Sequence, residues 1–463
     1  MTPVRVGPIA EARRLVTLAW PVILAQLGMV LMGAVDLWMV APLGEAATGA
    51  LGLGNTYSFA LVILALGTAT GVDPLVTQAY GANQPRRAGL AALQGMLVVG
   101  GLGVPIMALH TVAPTVLGAL QQPPNLLPLA DAYCTINALG IAPLLAFAVM
   151  RQWLQGDGVM LPGMLAIGVA NVANVVGNAW LIEPYGVAGV AWSTVIVRWL
   201  ALFVLIAISH RPLRRSWPDA PVLDPTALVR LTTIAFPVGV QVGLEVWAFS
   251  SAALLAGSLG TTAVAAHVSA LNVVALAFMM ANGLSAAAAT RVGNLVGAGQ
   301  PWPTAATMAL GLVVGFMSVT GLVFFTFPET IGRVYASDPE VVALIAAVLP
   351  VGAAFGLFDG LQVVAFGILR GLGDTRVPST FNLIGYWMLG LPLGALLANT
   401  SLGLVGVWVG LAVALVIVAG LLGLRIRWHA NMDRNSRSAD RISIIEAKPM
   451  QPSVAAQNQE SSP

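Results

Sequence analysis

Charge is scarce in this chain. Only 9% of its 463 residues are Asp, Glu, Lys or Arg, where a soluble domain carries about 25%. A soluble enzyme, a nucleic-acid binder and a disordered scaffold are thereby excluded. There is one cysteine, Cys134, which leaves no disulfide framework, CxxC redox pair or cysteine zinc cluster. The four histidines (His110, His210, His267 and His429) include no two spaced as metal ligands, so no transition-metal site and no cofactor is expected. No GxxxxGK[ST] loop is present, which excludes a self-contained ATP-driven pump. The connections between apolar runs are mostly short and hold no His or Asp cluster, against a membrane acyl- or glycosyltransferase, and no enzyme is expected. What the chain has instead is apolar residues, 58% of the total, with a mean hydropathy of +0.86.

Apolar runs long enough to cross a bilayer, about 20 residues each, recur twelve times. They lie near 15–41, 47–72, 88–111, 127–150, 162–183, 187–209, 232–258, 262–290, 305–327, 341–368, 378–399 and 403–425. The first run is too long for the apolar region of a cleaved signal peptide. If the N-terminus is cytoplasmic, 19 of the 21 basic residues fall on the inner side; only Arg333 lies outside and Arg198 within a span. The positive-inside rule therefore places both termini in the cytoplasm.

The chain repeats itself. RLVTLAWPV (14–22) returns as RLTTIAFPV (230–238), and GANQP (81–85) as GAGQP (297–301), both at an offset of 216. LQGDG (154–158) parallels LRGLG (369–373), and GVAGV (186–190) parallels GLVGV (403–407), with the offset drifting by one. An even number of spans per repeat gives both halves one orientation, related by an axis along the membrane normal. The expected fold is all-α: an integral membrane protein of two homologous six-helix bundles facing each other across a cleft. Its expected parts are a cytoplasmic N-terminus (1–14), a first lobe (15–209), a cytoplasmic linker (210–231), a second lobe (232–428) and a disordered cytoplasmic tail (429–463).

Six motifs in order on this repeat carry a family resemblance: VDLWMVAPLG (35–44), VTQAYGAN (76–83), RQWLQGDG (151–158), AAHVSALN (265–272), VGNLVGAG (292–299) and LRGLGDTRVP (369–378). The chain resembles the multidrug and toxic compound extrusion (MATE) transporters, NorM-like bacterial branch, from about residue 10 to 428. The resemblance implies a monomeric antiporter of the bacterial inner membrane. It would export amphipathic, mostly cationic organic compounds in exchange for protons or sodium ions by alternating access. The wider superfamily also holds flippases of lipid-linked precursors. Such a protein is expected to line its cavity with several cationic residues, whereas this chain has one intramembrane Arg and several acids.

An ionisable side chain within a span is costly and is kept where it works. Asp36, Glu245 and Asp359 are the three acids well inside spans. Glu245 and Asp359 sit at similar depth in the second half. Two carboxyls in one low-dielectric pocket repel until a cation or proton is taken up, which is what a coupling site needs. The resemblance gives the pair the same role. It also leads one to expect, in some relatives, an aromatic hydroxyl where this chain has Phe355, and a second acid where it has Asn178. Asn174 and Asn178 share one helix face, and the resemblance joins them with Asp36 and Thr194 in an N-lobe cation pocket. Lacking those two oxygens, the chain favours a proton; sodium is the only metal ion in question. Trp38, Trp247, Met279, Phe355, Phe358, Tyr386 and Trp387 are expected to line a drug cavity through stacking and cation–π contact. Pro21 and Pro237 occupy equivalent places and predict kinks, Pro21 being a candidate hinge. Asp73 is expected to be solvated or a helix cap, Gln78 a polar helix contact, Arg198 snorkelled or paired with an acid, and His267 a hydrogen-bonded structural residue.

Overall fold

The computed structural model describes residues 7–446, and every regular element among them is a helix. The first half consists of α1 (Pro8–Val40), α2 (Glu45–Thr70), α3 (Asp73–Gly81), α4 (Pro85–Thr111), α5 (Ala113–Ala119), α6 (Leu127–Ala138), α7 (Ile141–Gly156), α8 (Leu161–Tyr185) and α9 (Val187–Ile208). After the short α10 (His210–Arg215) come α11 (Pro225–Ser258), α12 (Thr261–Gly297), α13 (Pro303–Thr326), α14 (Pro328–Tyr335), α15 (Pro339–Leu372), α16 (Arg376–Leu383), α17 (Leu391–Ala398) and α18 (Gly403–Glu446). Among the described residues eleven stretches are long and apolar enough to span a membrane, with α2 and α3 forming one of them. The pair α6 and α7, bent by 49°, makes the twelfth. A π-helical turn, Ile384–Gly390, joins α16 to α17.

Several boundaries differ from the sequence reading: α11 begins at Pro225, inside the expected linker that also holds α10, and α12 runs on to Gly297. The first helix begins at Pro8, where proline is tolerated because its missing N–H would have no intrahelical partner. At the other end α18 runs on to Glu446, so 429–446, expected to be disordered, is helical. Extending a nucleated helix fixes few dihedrals per bond gained. Residues 447–463 of that expected tail lie outside the described residues. The halves do not separate as independent bodies: the chain up to Leu422 packs as one unit, and from Gly423 onward α18 is a second. Within that second unit the Arg425 guanidinium sits 4.2 Å from the centre of the Trp428 ring.

The sequence repeat is a repeat of backbone geometry. Gly44 and Gly260, 216 residues apart, start α2 and α12 with φ of +99° and +111°, which a side chain would strain. Asn83 and Gly299, equally spaced within GANQP and GAGQP, have φ of 58° and 63°. Asparagine is among the few non-glycine residues that tolerate this region.

The halves meet along a seam toward the arginine-bearing ends of the helices, and the seam obeys the same two-fold relation. A Cβ on Gly81 would run into the Asn294 backbone, and the equivalent contact sets Gly297 against Gln78. Gly67 approaches Gly239, where an added Cβ would lie 2.8 Å from its Cα; the equivalent contact sets Gly283 against Ile23. Thr77 and Gly293 occupy equivalent positions and touch each other, so the axis passes between them. Small residues let membrane helices approach at backbone distance, where dispersion and polar contacts hold them. Amides add to the seam: Gln78 Nε2 donates to Gly371 O at 3.0 Å. With its amide nitrogen turned toward the carbonyls, Asn294 donates to Thr77 O (2.7 Å) and to Gly156 O (3.1 Å), the equivalent of Gly371.

Overpacking this seam should be costly. Gly239→Val places carbon against Thr68 and Leu64 O and is expected to destabilise by about 1–3 kcal/mol, seen as a lower melting temperature in detergent. Gly101→Ala, with nothing within 4 Å of its added Cβ, should leave the transition unmoved; equal behaviour of the two variants would remove the seam as the holding contact.

Candidate functional site

The second half buries a polar cluster between α11, α15 and α16. Glu245 on α11 and Asp359 on α15 are 7% and 3% exposed, and the charge of Glu245 acts on Asp359. Glu245 Oε2 accepts from Asn382 Nδ2 at 3.2 Å, and Asn382 Oδ1 accepts from Gln362 Nε2 at 3.4 Å. Three further oxygens in the cluster are buried and make no hydrogen bond: Asp359 Oδ1, Gln362 Oε1 and the Tyr386 hydroxyl. Among the described residues no Arg or Lys forms an ion pair with either acid.

The backbone around Pro237 explains how α16 reaches this cluster. Proline has no N–H, so the Thr233 carbonyl four residues earlier is left free, and Arg376 Nε donates to it at 3.2 Å. Thr375 donates to Ile234 O (2.8 Å) and Ser379 to Pro237 O (2.9 Å). Trp387 Nε1 donates to Leu244 O (3.0 Å). These bonds stitch α16 and the π-helical turn along α11, and the turn delivers Tyr386 to the acids. Turns of this kind are rare and concentrate at functional sites.

The first half holds a smaller cluster. Asp36, near the end of α1, accepts on Oδ1 from Asn174 Nδ2 (3.0 Å) and Asn178 Nδ2 (2.6 Å). Both asparagines lie on the buried face of α8. Their own Oδ1 atoms and Thr194 Oγ1, on the neighbouring α9, are buried without partners. The chemistry of this donor set, one carboxylate with neutral oxygens around it, suits a proton or a small monovalent cation.

Several sequence expectations are corrected. Arg198 pairs with an amide, not an acid: its Nη1 donates to Asn137 Oδ1 at 2.7 Å, and its guanidinium lies against Gly140 at the bend between α6 and α7. Asn137 passes the contact on to Ser58 (3.4 Å), which also meets His110 Nε2 (3.0 Å). Asp73 is neither solvated nor a cap. It is buried at the break between α2 and α3, where Gly71 packs on Ala235 of the other half, and it pairs with Arg370. His267 is buried with both ring nitrogens unbonded, edge-on to Trp408. Phe355 and Tyr386 are too deeply buried to line an open cavity. Phe355 packs edge-on against Phe249 and Trp408, because its ring fills a space between α11, α15 and α18. Of the remaining cavity candidates Trp38 and Trp247 are exposed, and Met279, Phe358 and Trp387 are half-buried. Pro21 lies inside an unbroken α1.

Sequence reasoning missed Asn382 and Gln362. Each is an amide within an apolar span, the same signal that drew attention to Asn174 and Asn178.

Comparison with known proteins agrees with this architecture. The MatE family pattern matches residues 21–180 and again 237–396, the two matches offset by the same 216 residues as the repeated motifs. "Probable multidrug resistance protein NorM" of Bradyrhizobium diazoefficiens is 35% identical over 437 residues, covering 89% of this chain and 92% of that protein. "Multidrug resistance protein PmpM" of Pseudomonas aeruginosa is 32% identical, covering 93% and 96%. Among solved structures, the eukaryotic MATE transporter AtDTX14 superposes with a TM-score of 0.85 at 22% identity, covering 94% of this chain and all of that one. An outward-facing multidrug resistance MATE transporter gives 0.83 at 18% identity, covering 92% and 97%. With the family pattern on both halves and relatives above 30% identity along nearly its whole length, the chain belongs to the MatE family of membrane transporters.

Proposed function

We propose that the protein is a secondary antiporter of the bacterial inner membrane, exporting amphipathic, mostly cationic organic compounds in exchange for protons by alternating access. The observation that carries this reading is the Glu245–Asp359 pair. Two carboxyls buried together without a basic partner must be neutralised by something that enters and leaves, since an uncompensated buried charge costs several kcal/mol. A shared proton serves two carboxyls in one apolar site, and a cationic drug competes for the same charge. Names of relatives such as NorM and PmpM, multidrug resistance proteins, support organic cargo.

The positive-inside count makes the arginine-bearing ends cytoplasmic, so the seam closes the inner side. One charge entering down 100 mV releases about 2.3 kcal/mol, sufficient for more than a tenfold gradient of a neutral cargo at 1:1 coupling. A monovalent cationic cargo exchanged for one proton moves no net charge and draws on the proton gradient alone. Asp36 and its amides form a second cation site that sets turnover rather than cargo affinity. The one intramembrane arginine, Arg198, is tied to Asn137, which leaves no cationic wall for an anionic lipid-linked cargo.

Glu245→Gln and Asp359→Asn should each abolish drug resistance at normal expression; wild-type resistance in both would end the coupling role of the pair. Asp36→Asn should slow export while drug affinity, measured by equilibrium binding to purified protein, stays within about twofold (roughly 0.4 kcal/mol). A collapse of affinity would make this aspartate a cargo ligand. In everted vesicles, export should follow an imposed proton gradient and persist without sodium. Export that requires a sodium gradient at fixed pH, and survives collapse of the proton gradient, would overturn the proton assignment.

A further inference from the structure

The amide contacts of the seam come in symmetric pairs, but its ion pairs do not. Glu11 of α1 pairs with Arg291 of α12, both oxygens of the carboxylate being engaged (Nη2 to Oε2 3.0 Å). Asp73 of α3 lies with Oδ2 3.1 Å from Arg370 Nε of α15. The positions equivalent to these four are Ala227, Leu75, Ala289 and Gln155, none of them charged. The first half therefore supplies both carboxylates and the second half both guanidiniums.

The two pairs differ in quality. Glu11–Arg291 is a forked contact. Arg370 Nε approaches Asp73 without the alignment of a hydrogen bond, and Asp73 Oδ1 is buried with no partner. On the same side of the seam, α7 holds a second guanidinium. Arg151 Nε and Nη1 are also buried without a partner, its stem lies along Gly163 of α8, and its charge acts on Asp73. The helices carrying Asp73 and Arg151 stay together whatever the halves do: Gly156 packs on Val76 and Tyr80, and Trp153 Nε1 donates to the Tyr80 hydroxyl at 3.1 Å.

We propose that Arg151 is a positioning residue for transport, the second partner of a carboxylate that changes partners. With the inner seam closed, Asp73 pairs across the halves with Arg370. When the halves part, Arg370 leaves with α15 and Asp73 turns to Arg151 within its own half. A buried carboxylate stripped of the cation it is paired with is strongly destabilising; a waiting partner removes that obstacle from the opening step. The unbonded Asp73 oxygen and the unbonded Arg151 nitrogens are the two ends of the contact that forms. The proposal rests on the alternating-access reading for one point only, that this seam opens.

The test uses full-length protein in inside-out vesicles, with Cys134→Ser to remove the native thiol and Thr68→Cys as the reporter. Thr68 is buried against Gly239 of the other half, so a membrane-impermeant maleimide reaches it from the inner side only when the seam is open. Arg370→Gln should speed labelling about tenfold and Arg151→Gln slow it about tenfold, each a shift of about 1.4 kcal/mol. Arg151→Lys should restore the rate. In an Asp73→Asn background Arg151→Gln should have no effect, an outcome that a packing role for Arg151 would not produce. Labelling that is unchanged or faster in Arg151→Gln, or equally slowed with and without Asp73, overturns the relay alone. A reporter that never reacts in any variant overturns alternating access at this seam and the relay with it.

Discussion

Close approach of the two halves at their arginine-bearing ends is the contact on which the rest of this structure depends. In a bilayer the hydrophobic effect does not drive helices together, because lipid tails are as apolar as leucine. What holds α2 and α3 against α11 and α12 is therefore dispersion at backbone distance plus a few polar bonds. Gly67, Gly71, Gly81, Gly239, Gly283 and Gly297 make that distance attainable. A seam built this way is tight, and beside it Leu231 and Ala235 of the second half pack into the apolar cluster of Val72 and Val76.

Two-fold repetition explains why so few residue types suffice. A contact between position i of one half and position j of the other is made again between their equivalents, as in any isologous interface. Gly67 and Gly81 thus return as Gly283 and Gly297, whereas Gly71 and Gly239 return as Ala287 and Ile23. Charges are the exception: Glu11, Asp73, Arg291 and Arg370 each lack a charged equivalent. The seam is symmetric in packing and polar in one direction, first half negative and second half positive. The spans divide differently: the first half carries one acid beside amides and the second half two acids beside amides and a phenol. The halves share a fold and differ in chemistry.

The Glu245–Asn382–Gln362 chain, with Tyr386 brought beside it, shows how a site can be assembled from an irregularity. Pro237 frees a carbonyl, Arg376 takes it, and the bonds that follow hold α16 in register along α11 until the π-helical turn swings Tyr386 inward. On α15 the ring of Phe355 adds no oxygen to this cluster. Position 355 has become part of an aromatic stack instead.

Composition and periodicity by themselves determined that the chain lives in a bilayer, how many times it crosses, and that it is two copies of one unit. These are local or counting properties: an apolar run of about 20 residues has few other uses, and a repeated motif needs no fold to be seen. Intramembrane acids were legible for the same reason, since Asp36, Glu245 and Asp359 stand out against hydrocarbon whatever surrounds them. Pairings were decided only by the tertiary structure. Asp73 reads as a residue beside a proline at a span end, and its burial follows from a break in the helix that the other half covers. Arg198 finds an amide because the bend between α6 and α7 brings Asn137 to it. Tyr386 reaches the acids through a turn that periodicity does not encode. A side chain's role is set by what lies opposite, and in this protein that is another helix, often from the other half: Asn137 is 61 residues from Arg198 and Gly371 293 from Gln78.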